Sequence, residues 1–265
     1  MGVRYSVNER FFDRWSEEMA YVLGYWYADG SLENSPRIRG RYIRVTSTDK
    51  DRVEAIQSLL ESAHTIVTER PEGNRKPRYL LRIGNAALFN ALVRHGLTPH
   101  KSLTMTFPKV PKKYLDSFIR GYFDGDGCVF LQQGKGIRGQ LIIKRLGVVF
   151  TSGSDTFLKT LLQVLREAAA LDAGNIYNGT RAKQLWFFTK DSTRIFVYFY
   201  RSVSRQELYM FRKYAIFDRY FKRRPAAATR EIQRILKRLG GEGVTRRSAK
   251  PLRAGSSPAR ASNVI

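Results

Sequence analysis

The chain alternates between short strand-like and longer helix-like hydrophobic patterns. Between residues 41 and 47, Ile43 and Val45 alternate with polar or aromatic neighbours, the period-two pattern of a strand with one buried face. The apolar residues that follow recur at the spacing of one helix face, at Val53, Ile56, Leu59 and Leu60. Thr48 or Asp49 is a suitable cap before them. The pattern predicts a half-buried strand followed by an amphipathic helix.

The same order of elements occurs a second time. Residues 141–152 form a predicted strand that also ends in Thr-Ser, and apolar residues at helical spacing run from Phe157 to Leu165 after the cap-type residues Ser154 and Asp155. The remaining strands are predicted at 65–68, 79–83, 175–177 and 185–189, and further helices start near Asn85 and Asp191. Each half therefore reads helix, two strands, helix, two strands, helix.

Each half also contains a variant of one nine-residue phrase, at Val22–Gly30 and Ile119–Gly127. Recurrence of the phrase together with matched elements predicts an internal duplication with pseudo-twofold symmetry. The predicted fold class is α+β, with two pseudo-symmetric αββαββα units and antiparallel sheets. We expect the halves to span 1–107 and 108–221, followed by a tail, 222–265, which holds twelve Lys or Arg against two Glu and is predicted to be disordered.

Small residues within the phrases predict close packing of two helices. They lie four apart, on one helix face, as Gly24 with Ala28 and Gly121 with Gly125. Because small side chains let two backbones approach closely, we expect the phrase helices to pack together across the pseudo-twofold axis. The first should begin near Ser16 and stop at Gly30 in a left-handed conformation.

Both phrases end in an aspartate followed by glycine, at Asp29 and Asp126. A carboxylate in the last turn of a helix lies near the negative end of the helix dipole, which is unfavourable unless a cation binds there. Paired carboxylates also repel unless a proton or metal relieves them, and Mg²⁺ suits a site whose other ligand is phosphate. One copy alone fits an ordinary helix end; two copies in register favour a metal site at Asp29 and Asp126, completed by Gly30 and Gly127.

The charge and composition of the chain limit the classes of binding partner that it can have. The chain has 265 residues and a net charge of +24, so it should bind polyanions such as nucleic acid or an anionic membrane. No apolar run approaches the roughly 20 residues of a membrane span, and the N-terminus shows no signal-peptide pattern. We therefore expect a nucleic-acid partner inside the cell, in a prokaryotic cytoplasm or nucleoid or in an organelle. The single cysteine, Cys128, and three histidines leave hard oxygen-bound cations as the expected metals.

Polar residues near the predicted strands supply groups that read DNA. A curved strand face carrying Arg, Gln, Lys and Thr can enter a major groove and contact base edges. A solvated polar sheet face is the alternative, and the net positive charge favours DNA. The candidates are Arg37, Arg39, Arg41, Arg44, Arg78, Arg82, Gln132, Arg138, Gln140, Lys144, Lys183 and Gln184.

At the two phrases the chain resembles the LAGLIDADG homing endonucleases in their single-chain, two-motif form. The resemblance covers about residues 15–221 and includes the stretch Gly96–Ser102. It implies sheets that form a DNA-binding saddle and a monomer that cuts both strands of a long, asymmetric double-stranded DNA target across the minor groove. It also implies Mg²⁺, with Mn²⁺ or Ca²⁺ as substitutes that support binding, and a basic residue near each metal-bound water. Lys101 and either Lys213 or Arg212 are the candidates for that role.

Two other functions remain open. An RNA-binding maturase that assists splicing of its own intron RNA would need the basic surface but not the two aspartates. A non-catalytic DNA-binding regulator on the same fold would be expected to lose at least one of them. The sixth phrase position differs between the copies, Tyr27 and Asp124, but it is not the family's metal ligand. Retention of both Asp29 and Asp126 favours the nuclease.

Overall fold

The computed structural model describes residues 5–35, 40–70, 73, 76–99 and 101–243. In chain order the elements are α1 (Glu17–Asp29), β1 (Gly30–Ser35), β2 (Gly40–Ser47), α2 (Lys50–Leu59), β3 (Val67–Glu69), β4 (Arg78–Gly84), α3 (Ala86–Arg94), α4 (Leu115–Asp126), β5 (Gly127–Lys135), β6 (Leu141–Ser152), α5 (Asp155–Ala169), β7 (Asn175–Asn178), β8 (Lys183–Phe188), α6 (Thr189–Tyr200), α7 (Phe211–Arg223) and α8 (Arg230–Gly243). The order αββαββα occurs twice, and each occurrence builds one four-stranded antiparallel sheet. This confirms the predicted α+β fold class and its repeated units. Within the described part of the chain, no helix has the length and apolar character needed to cross a membrane.

The chain folds into two compact units whose limits differ from those of the duplicated halves. Unit 1 comprises Met1–Asp126 with Ser204–Met210, and unit 2 comprises Gly127–Val203 with Phe211–Ile265. Unit 1 therefore contains both phrase helices, α1 and α4, together with a short segment that follows α6 in the chain. The halves 1–107 and 108–221 describe the duplication, whereas the compact units follow the packing.

The sheet of unit 1 has the strand order β1-β2-β4-β3. Ile43 pairs with Ile83 and Val45 with Leu81, and all four side chains are buried. Helices α2 and α3 cover this apolar face. The alternation predicted for residues 41–47 is confirmed.

The sheet of unit 2 repeats the arrangement with the order β5-β6-β8-β7. Val148 pairs with Phe187 and Phe150 with Leu185 on the buried face, which α5 and α6 cover. A register shift after Gln132 interrupts the pairing of β5 with β6. In both sheets we call the side turned away from the covering helices the outer face.

Helix α1 begins as expected but ends differently. The Ser16 Oγ accepts a hydrogen bond from the Met19 amide at 3.1 Å, which is an N-terminal cap. Gly30 has φ −85° and ψ 155°, so the expectation of a left-handed stop is wrong and β1 starts directly. A Cβ on Gly30 would lie 2.3 Å from the Trp26 ring and 2.6 Å from the Trp26 carbonyl oxygen. Glycine is needed here for close approach to the helix and not for a positive φ.

Residues 222–243 are folded, so the prediction of a disordered tail is wrong for this stretch. Helix α8 buries Ile232, Ile235 and Leu239, whose spacing of three and four places them on one face. The Arg238 guanidinium donates to the carbonyl oxygen of Arg201 at 3.0 Å, just past the end of α6. The three apolar residues on one face of α8 allow this helix to pack, although the net charge of the segment suggested disorder. Residues 244–265 lie outside the described part.

Candidate metal centre and nucleic-acid faces

The two phrase helices pack through reciprocal glycines, as predicted. A Cβ on Gly24 would come within 2.0 Å of the Phe118 carbonyl oxygen, and a Cβ on Gly121 within 2.0 Å of the Tyr21 carbonyl oxygen. Only glycine permits such an approach of two backbones. The interface therefore sets the register of α1 against α4.

That register places Asp29 and Asp126 at the same end of the helix pair. Each is the last residue of its helix. A Cβ on Gly125 would lie 2.3 Å from the Ala28 Cβ and 3.5 Å from the Asp29 Oδ2, so the last turns of the helices are in contact. Burial lowers the pKa of Lys101, and both carboxylates lie close enough to this one lysine to oppose the shift. The structure brings the two predicted metal ligands together.

Lys101 is buried at this end of α1. It is only 8% exposed, and its Nζ donates to the carbonyl oxygens of Tyr27 at 2.8 Å and Ala28 at 3.1 Å. Burial lowers the pKa of its ammonium group, and the charges of Asp126 and Asp29 oppose that shift. A cation suits the partial negative charge of a helix C-terminus. Lys101 is thus part of the carboxylate cluster and not a surface lysine.

Lys213, in α7, makes a contact with the second phrase like the one that Lys101 makes with the first. It is 2% exposed, and its Nζ donates to the Gly127 carbonyl oxygen at 2.6 Å. Gly127 directly follows Asp126 in the chain. Burial raises the pKa of the nearby Cys128 thiol, and the charges of Lys213 and of Arg212, the other candidate, oppose that shift. In each phrase, a buried lysine therefore donates to a backbone carbonyl at the C-terminal end.

Two tyrosines of α1 take part in the site, although the sequence did not single them out as functional. The Tyr25 hydroxyl donates to the Ser47 Oγ at 3.1 Å. Burial raises the pKa of Tyr25 well above 10, and the charge of the nearby Asp29 carboxylate raises it further. The Tyr27 hydroxyl donates to the His95 carbonyl oxygen at 2.7 Å. An aromatic residue inside a buried helix carries no sequence signal for these roles.

Asp124, the sixth residue of the second phrase, has a structural role. It is fully buried, and its Oδ2 accepts from the Tyr21 hydroxyl at 2.8 Å and from the Met210 amide at 2.7 Å. Arg52 and Arg120 donate to the carbonyl oxygens of Glu207 and Leu208, each at 2.7 Å. These charged groups hold the main chain of segment 204–210 in unit 1.

The donors at the helix ends fit a hard divalent cation. Two carboxylates are available, and no group of three or more His, Cys, Asp or Glu side chains suited to a metal occurs in the described ranges. A magnesium ion uses few protein carboxylates and keeps positions for water and phosphate, so the pair is sufficient. The Gly127 carbonyl already accepts from Lys213. Ligation by Gly30 and Gly127 stays a prediction.

The outer face of the first sheet carries a charged network. Glu33 accepts from Arg44 at 3.1 Å and from Arg82 at 2.9 Å, and the Arg82 guanidinium lies 3.5 Å from the Tyr42 ring centroid. Arg78 shares this face by strand alternation. Arg41 instead lies on the helix side, where it donates to the Asn90 side chain. Arg37 and Arg39 lie outside the described residues.

The predicted contacts of the second sheet are dispersed. Gln132 and Gln184 lie on its outer face by strand alternation, and Arg138 and Gln140 lie at the exposed turn between β5 and β6. Lys144 is exposed at the register shift beside Gly134. Lys183 and Gln184 are consecutive residues of β8, so their side chains point to opposite faces of the sheet. The Lys183 Nζ forms a salt bridge with Asp155 at 2.8 Å. Arg145, which is not among the residues predicted from the sequence, lies opposite Gln132 on the outer face.

Comparisons with known proteins agree with this architecture. A family model for a LAGLIDADG-like domain matches residues 16–95 and again 113–197. The chain is 24% identical over 116 residues to an uncharacterized protein of Methanocaldococcus jannaschii, covering 43% of this chain and 40% of that protein. It is 27% identical over 142 residues to a component of the A-type ATP synthase of Methanopyrus kandleri, covering 50% and 13%. The chain thus matches less than half the length of these curated relatives.

Solved structures show the same fold. The LAGLIDADG homing endonuclease I-LtrWI bound to target DNA superposes with a TM-score of 0.54 at 13% identity, covering 87% of this chain and 97% of that one. The homing endonuclease I-WcaI bound to its DNA recognition sequence gives 0.51 at 14% identity, covering 78% and 91%. Because the family model matches both repeats and more than half of the residues, this chain belongs to the LAGLIDADG-like domain family.

Proposed function

We propose that this protein is a site-specific, divalent-metal-dependent endonuclease that cuts both strands of double-stranded DNA. The observation that carries the proposal is the pairing of Asp29 and Asp126 at adjoining helix ends, set by reciprocal glycines. Two carboxylates held at one place by packed backbone carry two negative charges, of which the Lys101 ammonium offsets one, and a divalent cation relieves the remaining repulsion.

In this proposal Asp29 and Asp126 hold Mg²⁺, with Mn²⁺ or Ca²⁺ as substitutes for binding. When bound, the metal polarises a phosphodiester and lowers the pKa of a bound water. The Lys101 ammonium has three N–H donors and gives two to the α1 carbonyls. The third is suited to a phosphate oxygen or a water at the carboxylates. Lys213 is proposed to play the same part for the second phrase.

Double-stranded DNA is the proposed substrate for three reasons. The net charge of +24 favours a polyanion, and arginines lie on the outer face of the first sheet, where base edges of a groove can accept hydrogen bonds. Related structures of the same fold are bound to DNA. We propose that the protein acts as a monomer, since one chain contains both phrases.

The test uses the purified full chain, Mg²⁺ and a library of long random duplexes whose new ends are sequenced. We expect discrete, staggered ends that disappear with chelator and in the double variant Asp29→Asn, Asp126→Asn. The single variants show whether each carboxylate serves one strand or both. Asp218→Asn is the matched control, because it removes a carboxylate paired with Lys222 on α7.

Two results would contradict the proposal. Sequence-specific duplex binding without any cleavage would identify a non-catalytic regulator. Tight binding to structured intron RNA, with neither cleavage nor specific binding of DNA, would identify a maturase.

A further inference from the structure

The outer face of the second sheet is largely aromatic. Its rings come from three strands: Phe130 on β5, Tyr177 on β7, and Trp186 and Phe188 on β8. The Trp186 ring centroid lies 5.5 Å from that of Phe130, 5.9 Å from that of Phe188 and 6.3 Å from that of Tyr177. The strand neighbours Leu185 and Phe187 point to the opposite, buried face. We call these four rings the aromatic platform.

The rings are held in place by their surroundings. The Trp186 Nε1 donates to the Gln184 Oε1 at 3.1 Å, which fixes the indole on the sheet. Phe130 lies over the backbone of Gly147, where a Cβ would come within 2.4 Å of its ring. The Arg145 guanidinium lies 5.4 Å from the Phe188 ring centroid. Tyr177 is 47% exposed, and the other three rings are partly exposed.

The charge around the platform favours an anionic ligand. Strands β5 to β8 contain no Asp or Glu and three exposed cationic residues, Lys135, Lys144 and Arg145. The first sheet differs, since Glu33 and Glu69 lie in its strands. Aromatic rings beside cations and without carboxylates suit a ligand that combines planar rings with negative charge, which describes nucleic acid.

The state of the bases decides which nucleic acid fits. In a duplex, each base is stacked on its neighbours and offers only its edge in the groove. Unpaired bases have free faces that stack on aromatic side chains of a sheet. We propose that the aromatic platform binds a single strand, with unpaired bases stacked on Trp186 and Tyr177 and phosphates near Arg145. This site rests on a sheet face, not on the carboxylates of the proposed nuclease.

Intrinsic fluorescence provides the test, because the chain has only three tryptophans, at 15, 26 and 186. The probes are oligouridylate and oligothymidylate of about 12 nucleotides and a duplex of equal length. We expect either single strand to quench fluorescence, most of the quenching to be lost in Trp186→Phe, and all of it to be kept in Trp15→Phe. Trp186→Ala should weaken single-strand binding roughly 5- to 150-fold, whereas Tyr5→Ala, at an exposed ring of unit 1, should not.

Several outcomes decide the matter. A preference for one oligonucleotide identifies RNA or DNA as the strand bound. Tyr177→Ala, on the edge strand β7, repeats the affinity test if Trp186→Ala does not fold. Equal weakening of duplex and single-strand binding in these variants, or no quenching where the duplex binds, would overturn the proposal. Single-strand binding by the Asp29→Asn, Asp126→Asn protein separates this result from the outcome of the cleavage assay.

Discussion

Gly24 and Gly121 each lie against a backbone carbonyl of the other's helix, at Phe118 and Tyr21, where a Cβ would come within 2.0 Å of the oxygen. The two contacts are equivalent, as expected for two helices related by the pseudo-twofold symmetry of the duplication. The same contact sets where Asp29 and Asp126 emerge, so helix packing and the candidate metal centre depend on one pair of glycines.

Alanine at either glycine should strongly destabilise unit 1. The clash is with backbone and cannot be relieved by rotating a side chain, so we expect Gly24→Ala or Gly121→Ala to cost about 3 kcal/mol or more. Urea unfolding followed by circular dichroism measures the effect. Gly240→Ala is the matched control, because its nearest neighbour is 3.9 Å away and alanine favours helices. A loss no larger than in the control would contradict the close approach.

Removing the Asp124 carboxylate should release segment 204–210. Asp124→Ala leaves the Met210 amide and the Tyr21 hydroxyl without their acceptor and Arg52 without a nearby buried anion, at a cost of about 3–5 kcal/mol. We expect faster tryptic cleavage after Arg205, which lies in this segment. Asp124→Asn keeps an acceptor oxygen and should recover much of the protection. Equal cleavage rates in all three proteins would show that the segment is held by other contacts.

Tyr27→Phe should make the segment between His95 and Lys101 more mobile. The hydroxyl donates to the His95 carbonyl, six residues before Lys101, and the Tyr27 carbonyl accepts from Lys101 itself. Loss of the hydroxyl leaves an acceptor unsatisfied and should cost about 1–3 kcal/mol. Hydrogen exchange should quicken locally at residues 96–99 and the cleavage rate should fall. Tyr220→Phe is a control in unit 2, and unchanged exchange in Tyr27→Phe would refute the positioning role.

Helix α8 should contribute to folding and not only to charge. Ile235→Asp places a carboxylate on the buried stripe that contacts α6, and we expect a loss of about 2–5 kcal/mol. Arg234→Asp changes the net charge more at an exposed position of the same helix and should leave the melting temperature nearly unchanged. If both variants melt alike, α8 does not pack as described.

His64 should make stability depend on pH below neutrality. Burial lowers the pKa of its ring from 6.5, so the unfolded chain binds more protons than the folded chain between the lowered value and pH 6.5. The stabilisation is therefore complete above pH 6.5 and is lost as the pH falls through this window. Urea unfolding at about pH 7.5 and pH 5 should show a smaller difference for His64→Gln than for the unaltered protein. An equal difference would assign the pH dependence to other groups.

The local sequence pattern was sufficient to predict the repeated secondary-structure elements and the positions of the two aspartates. Alternation at Ile43 and Val45 and helical spacing after it depend only on which side of an element is buried, and one sequence contains that information. The Ser16 cap is likewise set by neighbours within one turn. The repeated phrase is sufficient to predict that Asp29 and Asp126 lie at helix ends, without any tertiary contact.

Only the tertiary structure decided which residues each helix or strand face contacts. The extended conformation of Gly30, the burial of Lys101 and Lys213, and the capture of segment 204–210 by Asp124 all depend on residues distant in the chain. Strand alternation placed Trp186 and Phe188 on a face opposite Leu185, but only sheet pairing brought Phe130 and Tyr177 beside them. Periodicity reports that a face is covered or exposed, whereas the partner on that face is chosen by packing between elements far apart in sequence.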